Sequence, residues 1–233
     1  MRFDQPLIEG TLIRRNRFLA DVRLSNGSEI TAHCAHAGAM LGCCDPGSKV
    51  LVSQHADPRR KLKHQLEIVY SGRTPVGIHT GRPSSLVAEA IMGAKIPELA
   101  GYATLKRDQL AEKNPRFDLA VIGNGLRPCY IQVKSVTFAF EGAAYYPDLP
   151  SAEERERVSE LTDLVREGNR AMIIFVAQRA DVERFKAADH IDAEWGQAFR
   201  DAVARGVEVA CYRANVTRKG IELGEKLPID LGA

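Results

Sequence analysis

Hydrophobic and polar positions follow one pattern up to about residue 80 and another beyond it. In the first part they alternate over short runs. From Phe18 to Leu24 every second residue is apolar, which puts Asp21 and Arg23 on the opposite face of a strand. Turn pairs such as Asn26-Gly27 separate these runs. The predicted strands are Leu7–Arg15, Arg17–Leu24, Ser28–Ala35, Lys49–His55 and Lys61–Ser71. Five short strands predict a small closed barrel of the oligonucleotide-binding (OB) type over residues 1–80.

Residues 81–233 combine helical periodicity with short apolar runs. The predicted helices are Leu86–Ala94, Ser151–Glu167 and Glu194–Arg205. The predicted strands are Ala103–Arg107, Arg116–Ile122, Cys129–Phe140, Ala171–Ala177 and Val207–Tyr212. Because Ala171–Ala177 is apolar throughout, we expect it to be a central strand covered on both faces. The order helix, three strands, helix, strand, helix, strand predicts a mixed α/β layer domain, so that the whole chain is of the mixed α+β class.

The composition is that of a globular protein, with 45% hydrophobic and 27% charged residues. The apolar run Ala171–Ala177 is far too short to cross a bilayer, and the N-terminus does not resemble a signal peptide. The five cysteines, an odd number without regular spacing, argue against a disulfide framework and suit a reducing compartment. We therefore expect a soluble cytoplasmic protein without a membrane partner.

Positive charge is concentrated in the first 80 residues, which hold eleven Lys and Arg against seven Asp and Glu, and five of the six histidines. The basic clusters are Arg14, Arg15 and Arg17 beside Phe18, and Arg59, Arg60, Lys61 and Lys63. Basic residues next to aromatic ones on a barrel suit a track for nucleic-acid phosphates. The alternative is a solvated edge strand, on which lysine and arginine prevent edge-to-edge pairing.

Polar residues on two neighbouring predicted strands form a pattern with a chemical meaning. Asp118 lies on the first strand, and Gln132 and Lys134 share a face of the next because they are two residues apart. A strand acid followed by (Asp/Glu)-x-Lys is the motif of PD-(D/E)XK nucleases. Phosphodiester hydrolysis needs a divalent cation, here Mg²⁺ or Mn²⁺, held by carboxylates. The predicted catalytic residues are Asp118, Gln132, Lys134 and the helix acid Glu89, of which Asp118, Gln132 and Glu89 are the predicted metal ligands.

The nuclease interpretation sets a condition on the hairpin between these strands. If Asn124-Gly125 closed a regular two-residue turn, Asp118 would pair with Ile131, on the face opposite Gln132 and Lys134. The interpretation therefore requires a longer loop, over Gly123–Pro128, or a bulge.

Further stretches along the whole chain form a collinear pattern with this motif. They are Phe18-Leu19-Ala20-Asp21-Val22, Thr31-Ala32-His33-Cys34, Met40-Leu41-Gly42, Arg60-Lys61-Leu62, Leu86-Val87-Ala88-Glu89-Ala90, Arg116-Phe117-Asp118, Val133-Lys134-Ser135-Val136-Thr137, Tyr146-Pro147-Asp148 and Phe175-Val176-Ala177-Gln178-Arg179. With them the chain resembles the sugar fermentation stimulation protein A (SfsA) family. The resemblance implies an OB-like domain, a PD-(D/E)XK-like domain and DNA binding. The family name comes from a link to the regulation of sugar utilisation.

The chain departs from the family pattern at the predicted site. The family has Glu where this chain has Gln132, polar side chains where it has Ala37 and Ala39, and a basic helix start where it has Glu153–Arg157. Losing one carboxylate removes a negative charge from the metal shell, so we expect weaker Mg²⁺ binding. Acids at a helix start suit the helix dipole but repel phosphate.

Three functions remain open from the sequence. The first is a DNA-binding protein without sequence specificity, or an RNA-binding one, with a weak or inactive nuclease-like domain. The second is an active Mg²⁺- or Mn²⁺-dependent nuclease. The third is a protein-interaction module whose acidic helix, Glu153–Glu160, engages a basic partner. A zinc site formed by the cluster His33, Cys34, His36, Cys43 and Cys44 is an alternative to a structural role, although its spacing matches no standard site.

Overall fold

The computed structural model describes residues 1–107 and 117–232. Its first part is a barrel of five strands: β1 (Ile8–Asn16), β2 (Leu19–Leu24), β3 (Glu29–His33), β4 (Lys49–Gln54) and β5 (His64–Ser71). Neighbouring strands are antiparallel in the order β3-β2-β1-β4-β5, and a parallel pairing of β3 with β5 closes the barrel. The interior is apolar and includes Leu12, Val22, Val52, Cys34 and Cys43. The predicted OB-type barrel is confirmed.

A sixth strand, β6 (Thr74–Gly77), continues from β5 through a hairpin and leads into the second half of the chain. The Gly77 amide donates to the Gln178 carbonyl at 2.8 Å. A Cβ atom at position 77 would lie 2.7 Å from the Gln178 side-chain oxygen, so a residue other than glycine would displace that buried amide. The boundary that we predict after residue 80 stays a prediction.

The second half contains three α-helices among its described residues: α1 (Arg82–Met92), α2 (Ala152–Arg166) and α3 (Ala193–Ala204). Its strands are β7 (Thr104–Arg107), β8 (Leu119–Gly123), β9 (Leu126–Val136), β10 (Ala139–Phe140), β11 (Ala143–Tyr146), β12 (Arg170–Ala177), β13 (Arg184–Ala187), β14 (Glu208–Thr217), β15 (Gly220–Leu227) and β16 (Ile229–Asp230). The main sheet has the order β15-β14-β12-β9-β8-β7, and a smaller sheet has the order β10-β11-β13-β16. The predicted α/β class is confirmed.

The central strand β12 is covered on both faces, as its apolar sequence predicts. One face of the main sheet, with Met172 and Ile174, packs against α1 and the barrel. The other, with Ile173 and Phe175, packs against α2 and α3. Along β9 the even-numbered residues face α2 and the odd-numbered ones face α1, so Gln132 and Lys134 lie on the α2 side.

Several boundaries differ from the predicted ones. Helix α1 begins at Arg82 rather than Leu86, because Pro83 lies in the first turn, where a missing amide hydrogen costs no helical bond. The predicted strand over 116–122 begins at Leu119, and Arg116 lies outside the described residues. Within the described residues, no helix is long and apolar enough to cross a membrane.

Candidate functional site

Asp118 lies directly before β8 and Gln132 lies on the neighbouring strand β9, and an irregularity in the hairpin of β8 and β9 brings the two residues opposite each other. A two-residue turn joins β8 to β9, and the pairing register then shifts by one residue. Leu119 therefore pairs with Ile131, and Asp118 and Gln132 are the next residues along the two strands. The shift is a bulge, one of the two possibilities that the nuclease interpretation allows, since an unshifted hairpin would set Asp118 opposite Ile131. The other possibility, a longer loop over Gly123–Pro128, is wrong because Gly123 pairs with Leu126 across the turn.

The Asp118 carboxylate is held directly before the beginning of β8. Its Oδ2 accepts a hydrogen bond from the Val133 amide at 2.8 Å, and its Oδ1 accepts one from the Ser84 hydroxyl of α1 at 3.3 Å. Burial raises the pKa of Asp118, and the Val133 amide and the nearby Lys134 ammonium offset this only in part. A cation beside Asp118 would therefore stabilise its ionised form.

Gln132 is completely buried against α2. Its Nε2 donates to the Arg157 carbonyl at 3.4 Å, and no described group donates to its Oε1. A buried carbonyl oxygen without a donor is uncommon in proteins and indicates a missing partner. The Oε1 atom is thus available to an additional group, such as a water molecule or a cation.

Lys134 forms an ion pair with a residue that the sequence motif does not contain. Its Nζ donates to Glu154 Oε2 at 2.5 Å, and the Tyr146 hydroxyl donates to the same oxygen at 2.7 Å. Burial opposes ionisation of Glu154, but Lys134, Tyr146 and Arg157 outweigh it and hold the pKa of Glu154 below its ordinary value. Burial and the Glu154 charge raise the pKa of Tyr146 well above its usual range. Tyr146 therefore stays protonated and donates a hydrogen bond to this carboxylate.

The start of α2 is fixed in a way that directs Glu154 towards β9. The Ser151 hydroxyl caps the helix by accepting from the Glu154 amide at 3.2 Å. Asp192, the N-cap of α3, accepts from the Ser151 amide at 3.0 Å and from Arg155 at 2.9 Å. The two helix starts therefore hold each other, and Glu154 points inward while Glu153 stays exposed.

Arg157 adds a second positive charge to the site. Its guanidinium pairs with Glu153 at 2.6 Å and lies 3.8 Å from Glu154. Burial tends to lower the pKa of Arg157, but Glu153, Glu154 and Asp118 raise it overall. The centre thus contains two carboxylates, Asp118 and Glu154, and two cationic groups.

The structure does not bring Glu89 together with the other predicted catalytic residues. Glu89 is more than half exposed, and its carboxylate accepts from the N-terminal amine of Met1 at 2.9 Å. It lies five residues after Ser84, the residue of α1 that contacts Asp118, and five residues place it on a different side of the helix. Helix α1 therefore contacts the centre through the Ser84 hydroxyl. Glu89 instead anchors the Met1 amine to the helix.

The basic clusters of the barrel lie in or next to two of its connecting loops, with Arg14 and Arg15 at the adjoining end of β1. Arg17 and Phe18 form the β1–β2 turn, and Arg59, Arg60, Lys61 and Lys63 lie in the β4–β5 loop. These are the loops through which OB barrels bind oligonucleotides. Phe18 is 41% exposed, and the Arg17 guanidinium lies 5.0 Å from the centre of its ring.

The members of these clusters differ in what they already contact. The Arg15 guanidinium donates to backbone carbonyls of the barrel, namely those of Arg17, His36, Gly38 and Ala39. Arg14 pairs with Asp21 at 2.6 Å, yet its side chain remains 77% exposed. In the β4–β5 loop, Arg59 pairs with Asp57 and Lys63 donates to the Asp57 carbonyl. These contacts assign Arg15 to the fold, whereas the other cations remain accessible at the surface.

Two family models match the chain: the SfsA N-terminal OB domain over residues 12–78 and the sugar fermentation stimulation protein RE domain over residues 81–220. The chain belongs to the sugar fermentation stimulation protein family. A homolog from Citrifermentans bemidjiense is 43% identical over 98% of this chain and 99% of its own length. Another, from Geobacter sulfurreducens, is 42% identical over the full length of both chains.

A solved structure, described as Pyrococcus furiosus SfsA in complex with Ca²⁺, has the same fold. It superposes with a TM-score of 0.87 at 24% identity, covering 99% of this chain and 98% of the other. The similarity of fold extends over both the barrel and the α/β domain.

The donor atoms of this SfsA-family chain fit a hard divalent cation. Asp118, Glu154 and Gln132 Oε1 supply carboxylate and amide oxygens, the ligand types that Mg²⁺, Mn²⁺ and Ca²⁺ prefer. The unpartnered Gln132 oxygen is the observation that supports the fit. No group of three or more His, Cys, Asp or Glu side chains in the described part of the chain could hold a metal ion. A cation here would therefore depend on the amide oxygen and on water.

Proposed function

We propose that this protein binds nucleic acid, with DNA as the expected partner, through the β1–β2 and β4–β5 loops of its barrel. The supporting observation is the placement of exposed cations in these two loops: Arg17 lies beside the exposed ring of Phe18, and Arg60 and Lys61 lie in the β4–β5 loop. Lysine and arginine attract phosphates without regard to sequence, and an aromatic ring stacks on any base. Binding without sequence preference follows from this chemistry.

The α/β domain completes the proposal as a nuclease-like domain with an altered centre. Asp118 and Lys134 match the motif, but Gln132 lacks the expected charge, and Lys134 is already paired with Glu154. A lysine held by an internal carboxylate is not free to stabilise a phosphate or to orient water. We therefore favour binding with little or no cleavage. A regulatory role linked to sugar utilisation, as the family name implies, belongs to the same proposal.

Fluorescence anisotropy with a labelled DNA duplex, in EDTA and over a range of salt concentrations, tests the binding. We expect the logarithm of the affinity to fall steeply and linearly with the logarithm of the salt concentration. Reversing three loop charges, in Arg59→Glu/Arg60→Glu/Lys61→Glu, should weaken binding and reduce the salt slope by about 1 for each phosphate that the variant no longer neutralises.

The matched control reverses three exposed charges outside the barrel, in Lys95→Glu/Arg166→Glu/Arg205→Glu. Both triple variants change the net charge equally, so a non-local electrostatic effect would weaken them alike. The proposed interface requires the loop variant to be much the weaker binder. Equal weakening in both variants, or no binding by the wild type at low salt, would refute it. Repeating the titration with single-stranded DNA and with RNA identifies the preferred nucleic acid.

An active nuclease dependent on Mg²⁺ or Mn²⁺ is the second candidate. The proximity of Asp118 and Lys134 favours it, and the Ca²⁺ bound by the Pyrococcus furiosus relative makes a divalent cation relevant to the family. Incubating the protein with DNA or RNA and either cation tests this function. Cleavage that disappears in both Asp118→Ala and Lys134→Ala would establish it, whereas cleavage that survives both substitutions would exclude these residues.

A further inference from the structure

Gln132 leaves one strong acceptor atom unused inside the α/β domain. Its side chain is fully buried, and its Nε2 donates to the Arg157 carbonyl. Because a backbone carbonyl only accepts, the amide nitrogen must face Arg157 and the oxygen must point elsewhere. No donor among the described residues reaches that oxygen. A buried carbonyl oxygen in this position is stabilised only when a donor or a cation satisfies it.

Glu154 approaches the same face of β9 from α2. Its carboxylate contacts Lys134 Nζ, two residues along the strand from Gln132, while the backbone of Arg157, one helical turn later, contacts Gln132 itself. The Glu154 side chain is only 20% exposed, although it is the third residue of a helix whose neighbouring Glu153 is 70% exposed. The helix start therefore directs one of its two acids into the centre and leaves the other in solvent.

We propose that Glu154 is a ligand of a divalent cation held together with Asp118 and the Gln132 amide oxygen, and that it supplies the carboxylate that strand β9 lacks. This inference rests on the nuclease-like centre of the proposed function. With Glu154 the centre contains two carboxylates, the number typical of a magnesium site, and without it Asp118 would be the single charged ligand. A cation would compete with Lys134 for the Glu154 carboxylate.

A purely structural ion pair explains less of the centre. Lys134 and Glu154 would satisfy each other, but the Gln132 oxygen would still need a separate partner. A cation held by Glu154 and Asp118 would supply that partner, because hard divalent cations take amide oxygens as ligands. The two interpretations differ in how cation affinity responds when Lys134 is absent.

Titration of the metal-free protein with Mn²⁺, followed by calorimetry and by electron paramagnetic resonance of the free ion, tests the inference. We expect Glu154→Gln to weaken Mn²⁺ binding at least about tenfold, since even residues outside the ligand set change metal affinity by that factor. The matched control is Glu153→Gln, an exposed acid on the same helical turn, which should leave the affinity within about twofold of the wild type. Asp118→Asn should abolish binding, and circular dichroism melts check that each variant folds.

Glu154→Gln alone cannot separate a ligand from a group that merely neutralises Lys134, because an unpaired Lys134 would also repel the cation. The comparison of Lys134→Met with Lys134→Met/Glu154→Gln makes this separation. If Glu154 is a ligand, the double variant binds Mn²⁺ at least about tenfold more weakly than Lys134→Met. If Glu154 only neutralises Lys134, the two variants bind equally, and the inference is overturned.

The Mn²⁺ titration is independent of the test of the nucleic-acid interface, because DNA binding is measured in EDTA. A wild-type protein that binds DNA but no Mn²⁺ at millimolar concentration would overturn the inference and leave the barrel interface standing. A protein that binds Mn²⁺ through Glu154 but binds no nucleic acid would refute the interface alone. Repeating the titration with Ca²⁺ shows whether the centre discriminates between the two ions.

Discussion

Lys134 Nζ and Glu154 Oε2 lie 2.5 Å apart, although one residue belongs to a central strand and the other to the first turn of a helix. Both side chains are largely buried, at 6% and 20% exposure. Buried partners of opposite charge depend on each other, because each would otherwise be a desolvated, uncompensated charge. The pair therefore couples the position of α2 to the chemistry of the centre on β9.

The coupling between Lys134 and Glu154 should be measurable as non-additive stability. We expect Lys134→Met to lower the free energy of unfolding by about 3 kcal/mol, because Glu154 stays buried without its partner. The double variant Lys134→Met/Glu154→Gln should be less destabilised than the sum of the single variants. Urea denaturation of the four proteins measures this difference.

The exposed pair of Glu153 and Arg157, on the same helix, serves as the control for this comparison of single and double variants. Glu153 and Arg157 are also in contact, but Glu153 is 70% exposed, so Glu153→Gln should change the stability by no more than about 0.5 kcal/mol. Additive effects of the Lys134 and Glu154 substitutions would show that the two side chains do not interact in solution.

Restoring the missing acid at position 132 should make the cation-free protein less stable and make its stability depend more strongly on a bound cation. Gln132→Glu places a third carboxylate in a fully buried position, so we expect the cation-free protein to lose about 1–3 kcal/mol of stability. Mn²⁺ should restore that stability, because a ligand that binds only the folded state raises the melting temperature. Melting curves of wild type and variant, each with and without Mn²⁺, provide the measurement.

The control for Gln132→Glu is a substitution that removes the side-chain oxygen at position 132. Gln132→Leu eliminates the unpartnered Oε1 atom and cannot hold a cation through this position. Its melting temperature should respond less to Mn²⁺ than that of the wild type. A larger response to Mn²⁺ in Gln132→Leu than in Gln132→Glu would contradict the assignment of position 132 to the cation site.

The elements with strong periodicity were predictable from the sequence alone. Alternation identified all five barrel strands to within three residues at each end, and the apolar run at 171–177 identified the central strand β12. The need for either a longer loop or a bulge between Asp118 and Gln132 could also be stated, since side-chain alternation in a strand has a strict period of two. The position of the register shift could not, because it depends on how β9 pairs with both of its neighbours.

Elements and contacts that depend on distant residues were not predictable in the same way. The strands of the smaller sheet, such as β11 and β13, are four residues long and show no clear alternation. Glu154 lies twenty residues from Lys134, and its sequence position suggests an exposed helix start. The spacing of Ser151 and Glu154 was a usable signal for the helix cap, but the inward direction of Glu154 follows from how α2 packs on the sheet.

Substitutions of the neighbouring residues Arg14 and Arg15 should have different effects, one on nucleic-acid binding and the other on stability. Arg15→Met removes hydrogen bonds to four backbone carbonyls, so we expect a loss of about 2–3 kcal/mol in stability. Arg14→Met removes an exposed guanidinium and should leave the melting temperature unchanged while weakening DNA binding. Anisotropy titrations and melting curves on both variants provide the two measurements, and the same response in both would show that the structural distinction between these residues is incorrect.

The contact between the starts of α2 and α3 predicts a dependence of stability on pH. Asp192 is 5% exposed and accepts hydrogen bonds from the Ser151 and Trp195 amides and from Arg155. Burial opposes its ionisation, but these donors outweigh burial and lower the pKa of Asp192 below 3.8. Because the pKa is lowered, the stability that the Asp192 charge contributes is fully present above pH 3.8. It is lost as the pH falls through the pKa of Asp192 in the folded protein.

Asp192→Asn should therefore destabilise the protein by about 1–3 kcal/mol at neutral pH, and the difference from the wild type should shrink as the pH falls below about 4. Urea denaturation at a series of pH values measures this difference. Asp189→Asn is the control, because its pair with Arg200 is half exposed and should contribute no more than about 0.5 kcal/mol. A difference for Asp192→Asn that stays constant down to pH 3 would mean that the cap acts through hydrogen bonding and not through its charge. Asp192 fixes the Ser151 end of α2, so the same substitution should also weaken Mn²⁺ binding if Glu154 is a ligand.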